Sequence, residues 1–340
     1  MSNIIGAKAR GAAAAKSEHL PAPAPDKPQV RRVIIDEGSA GQRLDNFLLR
    51  ELKGVPKTHV YRVIRAGEVR INKGRAQADT RLELGDEVRI PPVRVAAKPE
   101  VPAAAAAPAR EFPVVFEDDH VLVIDKPAGV AVHGGSGVSF GVIEQLRRAR
   151  PTAKFLELVH RLDKETSGLL MIAKKRSALV NLQDQLRERE TGKTYAALVW
   201  GEWPAKLKVI DVPLVKFIGG DGERWVRPGK EGDEDAKRSI SLVKIMQKLP
   251  GWSLLDVTIK TGRTHQIRVH LQQAGHSIVG DPKYGDFERN RELARGPLKF
   301  DRMFLHARKL SFQHPATNET VSCEAPLPPD CQKLLSSSAV

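Results

Sequence analysis

The chain has 340 residues with 55 lysines and arginines against 41 acids, a formal net charge of +14 and a sequence pI of 9.8. That length suits two domains, and the charge suits a polyanionic partner, nucleic acid first and an anionic membrane surface second. No apolar run reaches the roughly 20 residues that span a bilayer, and the opening Met1 to Lys8 lacks a secretory apolar region, so a cytoplasmic protein without membrane association is expected.

Residues 1–32 are rich in Ala, Pro and Lys and include the run Pro21-Ala22-Pro23-Ala24-Pro25, a composition too poor in apolar bulk to fold alone, and read as a disordered arm. From residue 33 to 92 the pattern changes. Leu44, Phe47, Leu48 and Leu52 recur at helical spacing, Gly54-Val55-Pro56 interrupts, and Val60, Val63 and Ile64 mark a second helix ended by Gly67. Short strands follow at Val69-Arg70-Ile71 and Glu87 to Ile90, with turn chemistry at Asn72-Lys73-Gly74 and Leu84-Gly85-Asp86. On the second helix Lys57, Tyr61 and Arg65 fall at i, i+4 and i+8 beside Arg62, and Arg70, Lys73 and Arg75 come next. Glu68 is the only acid between Lys57 and Arg75, so these six cations make a face suited to RNA phosphates, whose neutralisation releases counterions.

Residues 93–112, with Ala103 to Ala107 bounded by prolines, read as a linker. A larger domain is expected over 113–330 and a tail over 331–340. It opens with Val114-Val115-Phe116 and Val121 to Ile124 flanking Glu117-Asp118-Asp119, a hairpin pattern. The stretch Asp125 to Gly137 is glycine-rich but has neither a Gly-Lys-Ser/Thr ending nor G-x-G-x-x-G spacing, so it reads as a flexible loop and no nucleotide cofactor is expected. Helices are expected around Val142, Ile143, Leu146 and Ala149 and around Leu179, Leu182 and Leu186. Between them Phe155 to Val159 and Leu169 to Ala173 read as buried strands, with Thr166-Ser167-Gly168 as turn residues, and they present Asp163 from a short loop. Tyr195 to Trp200 and Leu255 to Lys260 read as strands, and Gly219 to Gly222 and Lys230 to Asp235 as exposed loops. Strands joined by long excursions with few helices predict an α+β fold built on a mixed, largely antiparallel sheet. His265 and His270 are five residues apart, not the i, i+4 spacing of helical ligands, and Cys323 and Cys331 stand without companions, so no metal site is expected and both thiols read as structural. No heptad or spare apolar stripe is left over, which favours a monomer.

The run His160 to Gly168, with the blocks Lys193 to Gly201 and Thr261 to His270, resembles the RluA-type pseudouridine synthases, and residues 33–92 resemble an S4 RNA-binding domain. The likeness covers nearly everything from Arg43 to Ala325. It implies cofactor-independent isomerisation of specific uridines in large-subunit (23S) ribosomal RNA: the N-glycosidic bond breaks, the base turns, and C5 bonds to C1′. By the same likeness Asp163 is the catalytic carboxylate, Arg268 its basic partner, and Tyr195 the tyrosine that packs on the base and aids proton removal from C5. Arg161, two residues before Asp163, is expected to fill the gap left by the flipped uridine, with His160, Arg263 and His265 also touching substrate. A rival reading is a noncatalytic RNA-binding or ribosome-assembly protein, which a degraded constellation would favour; Asp163, Tyr195, Arg268 and Arg161 are all present.

Overall fold

Leu44, Phe47, Leu48, Val60, Val63 and Ile64 all lie on inward stripes and are all buried, which is why the first unit condenses around helices α1 (Leu44–Glu51) and α2 (Lys57–Arg65). The computed structural model describes residues 29–52, 54–93, 107–135, 140–220, 222–230 and 232–337; most of the expected arm and linker, the last two residues of the glycine-rich loop and the last three residues of the chain lie outside them. Gly67 adopts φ +69 after α2, a conformation open to glycine at little cost. The chain then forms strands β2 (Arg70–Ile71), β3 (Gly74–Arg75) and β4 (Glu87–Ile90). Strand β1 (Arg31–Ile34) completes the four-stranded sheet in the order β1-β4-β2-β3, so Arg31 and Arg32 belong to the sheet and not to the expected arm. Exposed side chains along this edge strand hide it from any apolar pattern.

The larger unit is organised by one ten-stranded sheet. Its strands are β5 (Val114–Glu117), β6 (Val121–Lys126), β7 (Glu157–Leu158), β8 (Ser167–Ala173), β9 (Gly192–Trp200), β10 (Val209–Asp211), β13 (Ile240–Leu249), β14 (Trp252–Ile259), β15 (Leu305–Gln313) and β16 (Thr320–Glu324). The order is β10-β13-β14-β9-β15-β8-β6-β5, with β16 on β15 and β7 on β8. Every pairing is antiparallel except β15 with β8, so the sheet is mixed and largely antiparallel as expected. Leu122 and Ile124 face one core, Val121 and Val123 the other, because successive strand residues point to opposite faces. Helix α3 (Val142–Ala149) covers the first face and α4 (Arg176–Glu188) the second, which leaves all seven residues of β8 buried.

Three local expectations are corrected. Ser167 and Gly168 are strand residues, not turn residues: Gly168 has φ +107, and a Cβ there would meet the Ala307 carbonyl at 2.3 Å, so glycine permits the parallel crossing of β8 and β15. Gly219, Gly220 and Gly222 do lie in a loop, as expected, between the strands of a separate hairpin that the sequence did not signal, β11 (Leu214–Ile218) with β12 (Arg224–Pro228), whose short mixed pattern carries no alternation. Phe112, placed in the linker, is buried in the main core. The tail expected from 331 falls within helix α7 (Pro329–Ser337), held by buried Cys331 and Leu334 against Phe300 and Phe304. The remaining helices are α5 (Gln266–Gln273) and α6 (Phe287–Arg295).

Candidate active site

The Asp163 loop leaves β7 and enters β8, and the Thr166 amide closes a turn on the Asp163 carbonyl at 3.1 Å. Beneath it lies Lys126, the last residue of β6 and fully buried. Its ammonium donates to the carbonyls of Pro127 and Val130, both at 2.8 Å, and of Lys164 at 3.1 Å. Burial pushes its pKa down to about 7. Three carbonyl acceptors oppose that by matching the three donors of the charged form, so the cation ties the Asp163 loop to β6.

Arg268 enters from the first turn of α5, with its side chain only 5% exposed. Its Nη1 donates to Asp163 Oδ2 at 3.2 Å, while Nε and Nη2 make two 2.8 Å bonds to Asp281. This fork matches the planar geometry of guanidinium on carboxylate. Burial alone would lower the Arg268 pKa, but Asp281 and then Asp163 outweigh it and the net shift is upward. Asp281 Oδ1 also accepts from the Lys283 and Tyr284 amides at 2.8 and 2.9 Å, so its own position is fixed by the turn that carries it. Gln266 sets the start of α5: its carbonyl accepts from Thr261 Oγ1 and the Arg263 amide, and its amide donates to the Ile240 carbonyl and Ser241 Oγ.

His265 caps α5 in the left-handed region at φ 53. The Tyr284 hydroxyl accepts from the Val226 amide at 3.0 Å and lies 2.8 Å from His265 Nδ1, so it donates there and the imidazole proton sits on Nε2. That nitrogen is 3.9 Å from Asp163 Oδ2. Burial lowers the His265 pKa against the pull of Asp163, leaving a neutral ring. The Arg268 guanidinium also stacks on the Tyr284 ring at 5.0 Å.

Of these groups Asp163, His265, Gln266 and Arg268 line a cavity of about 470 Å³, with Tyr195, Arg161, Arg263, Lys193, Arg187, Arg189 and Lys260. The volume is in the range of small-ligand sites. Asp163 is the only carboxylate on its wall among the described residues. Burial, and then the Asp163 charge, raise the Tyr195 pKa, so the phenol stays protonated and presents a ring face and an O–H. Arg161 is exposed and donates to Thr264 Oγ1 at 3.1 Å. Arg263 Nε lies 3.4 Å from the Arg238 carbonyl at the rim. His160 touches the wall, yet its Nε2 accepts from the Met171 amide at 3.1 Å and burial lowers its pKa to about 4. A neutral imidazole spent on the sheet backbone anchors the loop and leaves little for the substrate contact expected of it.

In the first unit Lys57, Arg65 and Arg75 converge on a groove with Arg43 and Tyr61. Arg62, Arg70 and Lys73 lie off that groove; Arg62 instead packs its Nη2 on the His59 ring, 3.3 Å from Nδ1. Asp118, His120 and His314 come close enough to suggest a metal triad that the sequence did not. Their hydrogen bonds argue against one: His314 Nδ1 faces the Thr317 amide at 3.1 Å, so its proton is on Nε2 and is given to Asp118 at 2.6 Å. Lys175 Nζ already sits 3.2 Å from His120 Nε2, where a cation would be repelled.

Asp281, Lys126, Gln266, Tyr284 and Lys193 are the site residues that the sequence reading did not single out. Lys193 and Gln266 lay inside recognised blocks, whereas Asp281 and Lys126 carried no periodic signal.

A family model for RNA pseudouridylate synthase matches residues 120–273, and one for the S4 domain matches residues 42–88. The chain is 51% identical over 305 residues to ribosomal large subunit pseudouridine synthase C of Escherichia coli K12, covering 89% of this chain and 94% of that protein. Its counterpart in Pasteurella multocida is 49% identical over 309 residues, covering 90% and 93%. Among solved structures, human RNA pseudouridylate synthase domain containing 4 superposes with a TM-score of 0.53 at 26% identity, over 66% of this chain and 93% of that one.

Proposed function

Since the chain belongs to the RNA pseudouridylate synthase family and carries an S4 domain, we infer that it isomerises uridines of large-subunit ribosomal RNA to pseudouridine. The observation that carries this reading is the carboxylate of Asp163, the only one among the described residues lining a nucleoside-sized cavity, held at 3.2 Å by a buried Arg268. The reaction breaks N1–C1′ and forms C5–C1′, C5 loses a proton and N1 gains one, and no atom is exchanged with a second substrate. It therefore calls for no nucleotide cofactor.

Asp163 can attack C1′, add to C6, or take the 2′ proton so that a glycal forms. With Tyr195 protonated, Asp163 is the carboxylate base in reach of the C5 proton, and Tyr195 supplies a stacking face and a donor. Arg268 orients Asp163 without giving up its own anchor on Asp281. Arg161, on the same loop and exposed, fills the place of the extruded uridine, and Arg263 and His265, on either side of its partner Thr264, contact the nucleotide. The S4 groove of Lys57, Arg65 and Arg75 tracks phosphates elsewhere on the RNA. We further assign the protein as a cytoplasmic monomer.

The test is tritium release from unmodified large-subunit RNA carrying 5-tritiated uridine, without added nucleotide. Release by the native protein and none by Asp163→Asn, with RNA binding kept, is the expected result. Binding without release by either protein would support an assembly factor instead.

A further inference from the structure

Lys193 and Tyr195 stand two apart on β9, so both side chains leave the same face of the sheet, into the Asp163 cavity. The Lys193 ammonium rests beside Gly262, 3.8 Å from where a Cβ on that glycine would sit. Other cations of the wall have protein partners: Arg268 on two aspartates, Arg161 on Thr264, Arg187 on Asp184 and Arg263 on a carbonyl. Arg189 and Lys260 are exposed to solvent. Lys193 differs from all of them. It is partly buried and, among the described residues, its ammonium makes no hydrogen bond or ion pair, and burial lowers its pKa with no carboxylate to offset it.

Holding a desolvated ammonium without a partner costs free energy, so the missing partner has to arrive with the ligand. The formal charges of RNA are on its phosphates, not on its neutral bases. Arg187 and Arg189, both exposed, add to the cationic lining that Lys193 belongs to, as a strand entering the cavity would need. We propose that Lys193 binds a phosphodiester of the RNA strand next to the uridine held over Asp163. The contact rests on the reading that this cavity turns over RNA uridines. Because that phosphate does not change charge during isomerisation, the interaction is equal in ground and transition states and belongs to binding, not to the chemical step.

The deciding experiment compares native protein, Lys193→Met and Lys193→Arg by tritium release from 5-tritiated large-subunit RNA over a range of salt, with thermal unfolding of each. Lys193→Met is expected to raise KM about 10- to 100-fold, the range for one charge-assisted hydrogen bond, with kcat within about twofold. Its salt slope of log(kcat/KM) should shrink by about 0.7 to 0.9, one phosphate contact. Unfolding should not occur at lower temperature, since an apolar side chain replaces an unpaired cation, and Lys193→Arg should recover most of KM. Unchanged kinetics would overturn the proposal, as would a loss confined to kcat, which would put the cation on the base. A lowered unfolding temperature with no recovery by arginine would make the residue structural and overturn it too. No release by the native protein would count against the function itself, and the Lys193 contact would fall with it.

Discussion

Asp281 holds Arg268 through two 2.8 Å bonds, against the single 3.2 Å bond by which Arg268 reaches Asp163. The guanidinium is therefore anchored from behind by one aspartate and offered forward to another, and the two carboxylates contribute differently. Asp163→Asn leaves the anchor intact, so it should fold with an unfolding temperature close to native while tritium release is abolished. Asp281→Asn should unpair a buried arginine at a cost of about 3 to 5 kcal/mol. Once freed, Arg268 misplaces Asp163, and release by the remaining folded protein should fall about 100-fold. A urea titration beside the release assay separates the two effects.

Gly168→Ala tests the crossing of β8 and β15. A methyl there meets the Ala307 carbonyl at 2.3 Å and its amide at 2.7 Å, and the backbone is at φ +107. Backbone on both sides cannot give way, so a loss of more than about 3 kcal/mol is expected. Chemical denaturation monitored by tryptophan fluorescence would show it, and a native-like midpoint would mean that the strands do not cross this closely.

Acid should destabilise the protein through His160 and His306. Burial holds both near pKa 4, below the 6.5 of a free imidazole, and His306 is fixed between Ser167 Oγ at 2.9 Å and the Ala325 carbonyl at 3.3 Å. With folded pKa values depressed, the unfolded chain takes up protons first. The stability is fully present above pH 6.5 and is lost as pH falls toward 4, by roughly 3 kcal/mol per histidine. Urea midpoints at pH 7.0, 5.5 and 4.5 should fall in that order, and His160→Gln, which retains an acceptor for the Met171 amide, should flatten part of the slope.

The S4 groove gives a separate electrostatic prediction. Replacing Lys57, Arg65 and Arg75 together by alanine should reduce the salt slope of RNA affinity by roughly 2 to 3, with about 0.7 to 0.9 per phosphate contact. Replacing Arg62, Arg70 and Lys73, which lie off the groove, should change it less. Equal effects of the two triple variants would mean that charge alone, not the groove, attracts the RNA.

By itself the sequence determined whatever depends on near neighbours. Helical spacing of Leu44, Phe47 and Leu48 was enough for α1, and apolar runs on either side were enough to present Asp163 from a loop, because local burial leaves a period in the chain. The recognised blocks supplied Tyr195 and Arg268 as partners of Asp163. Only the tertiary structure decided what joins them. Arg268 and Asp163 are 105 residues apart and meet because α5 packs beside the central strands. Lys126 supports the loop from 38 residues upstream, and Asp281 becomes the anchor of Arg268 from a turn with no pattern of its own. The β11–β12 hairpin, the helix at the carboxyl end and the split of six basic residues between groove and surroundings belong to the same class. Polar contacts between distant segments depend on sheet order and on which side chains share a face. Periodicity records how each segment is buried, not which segment buries it.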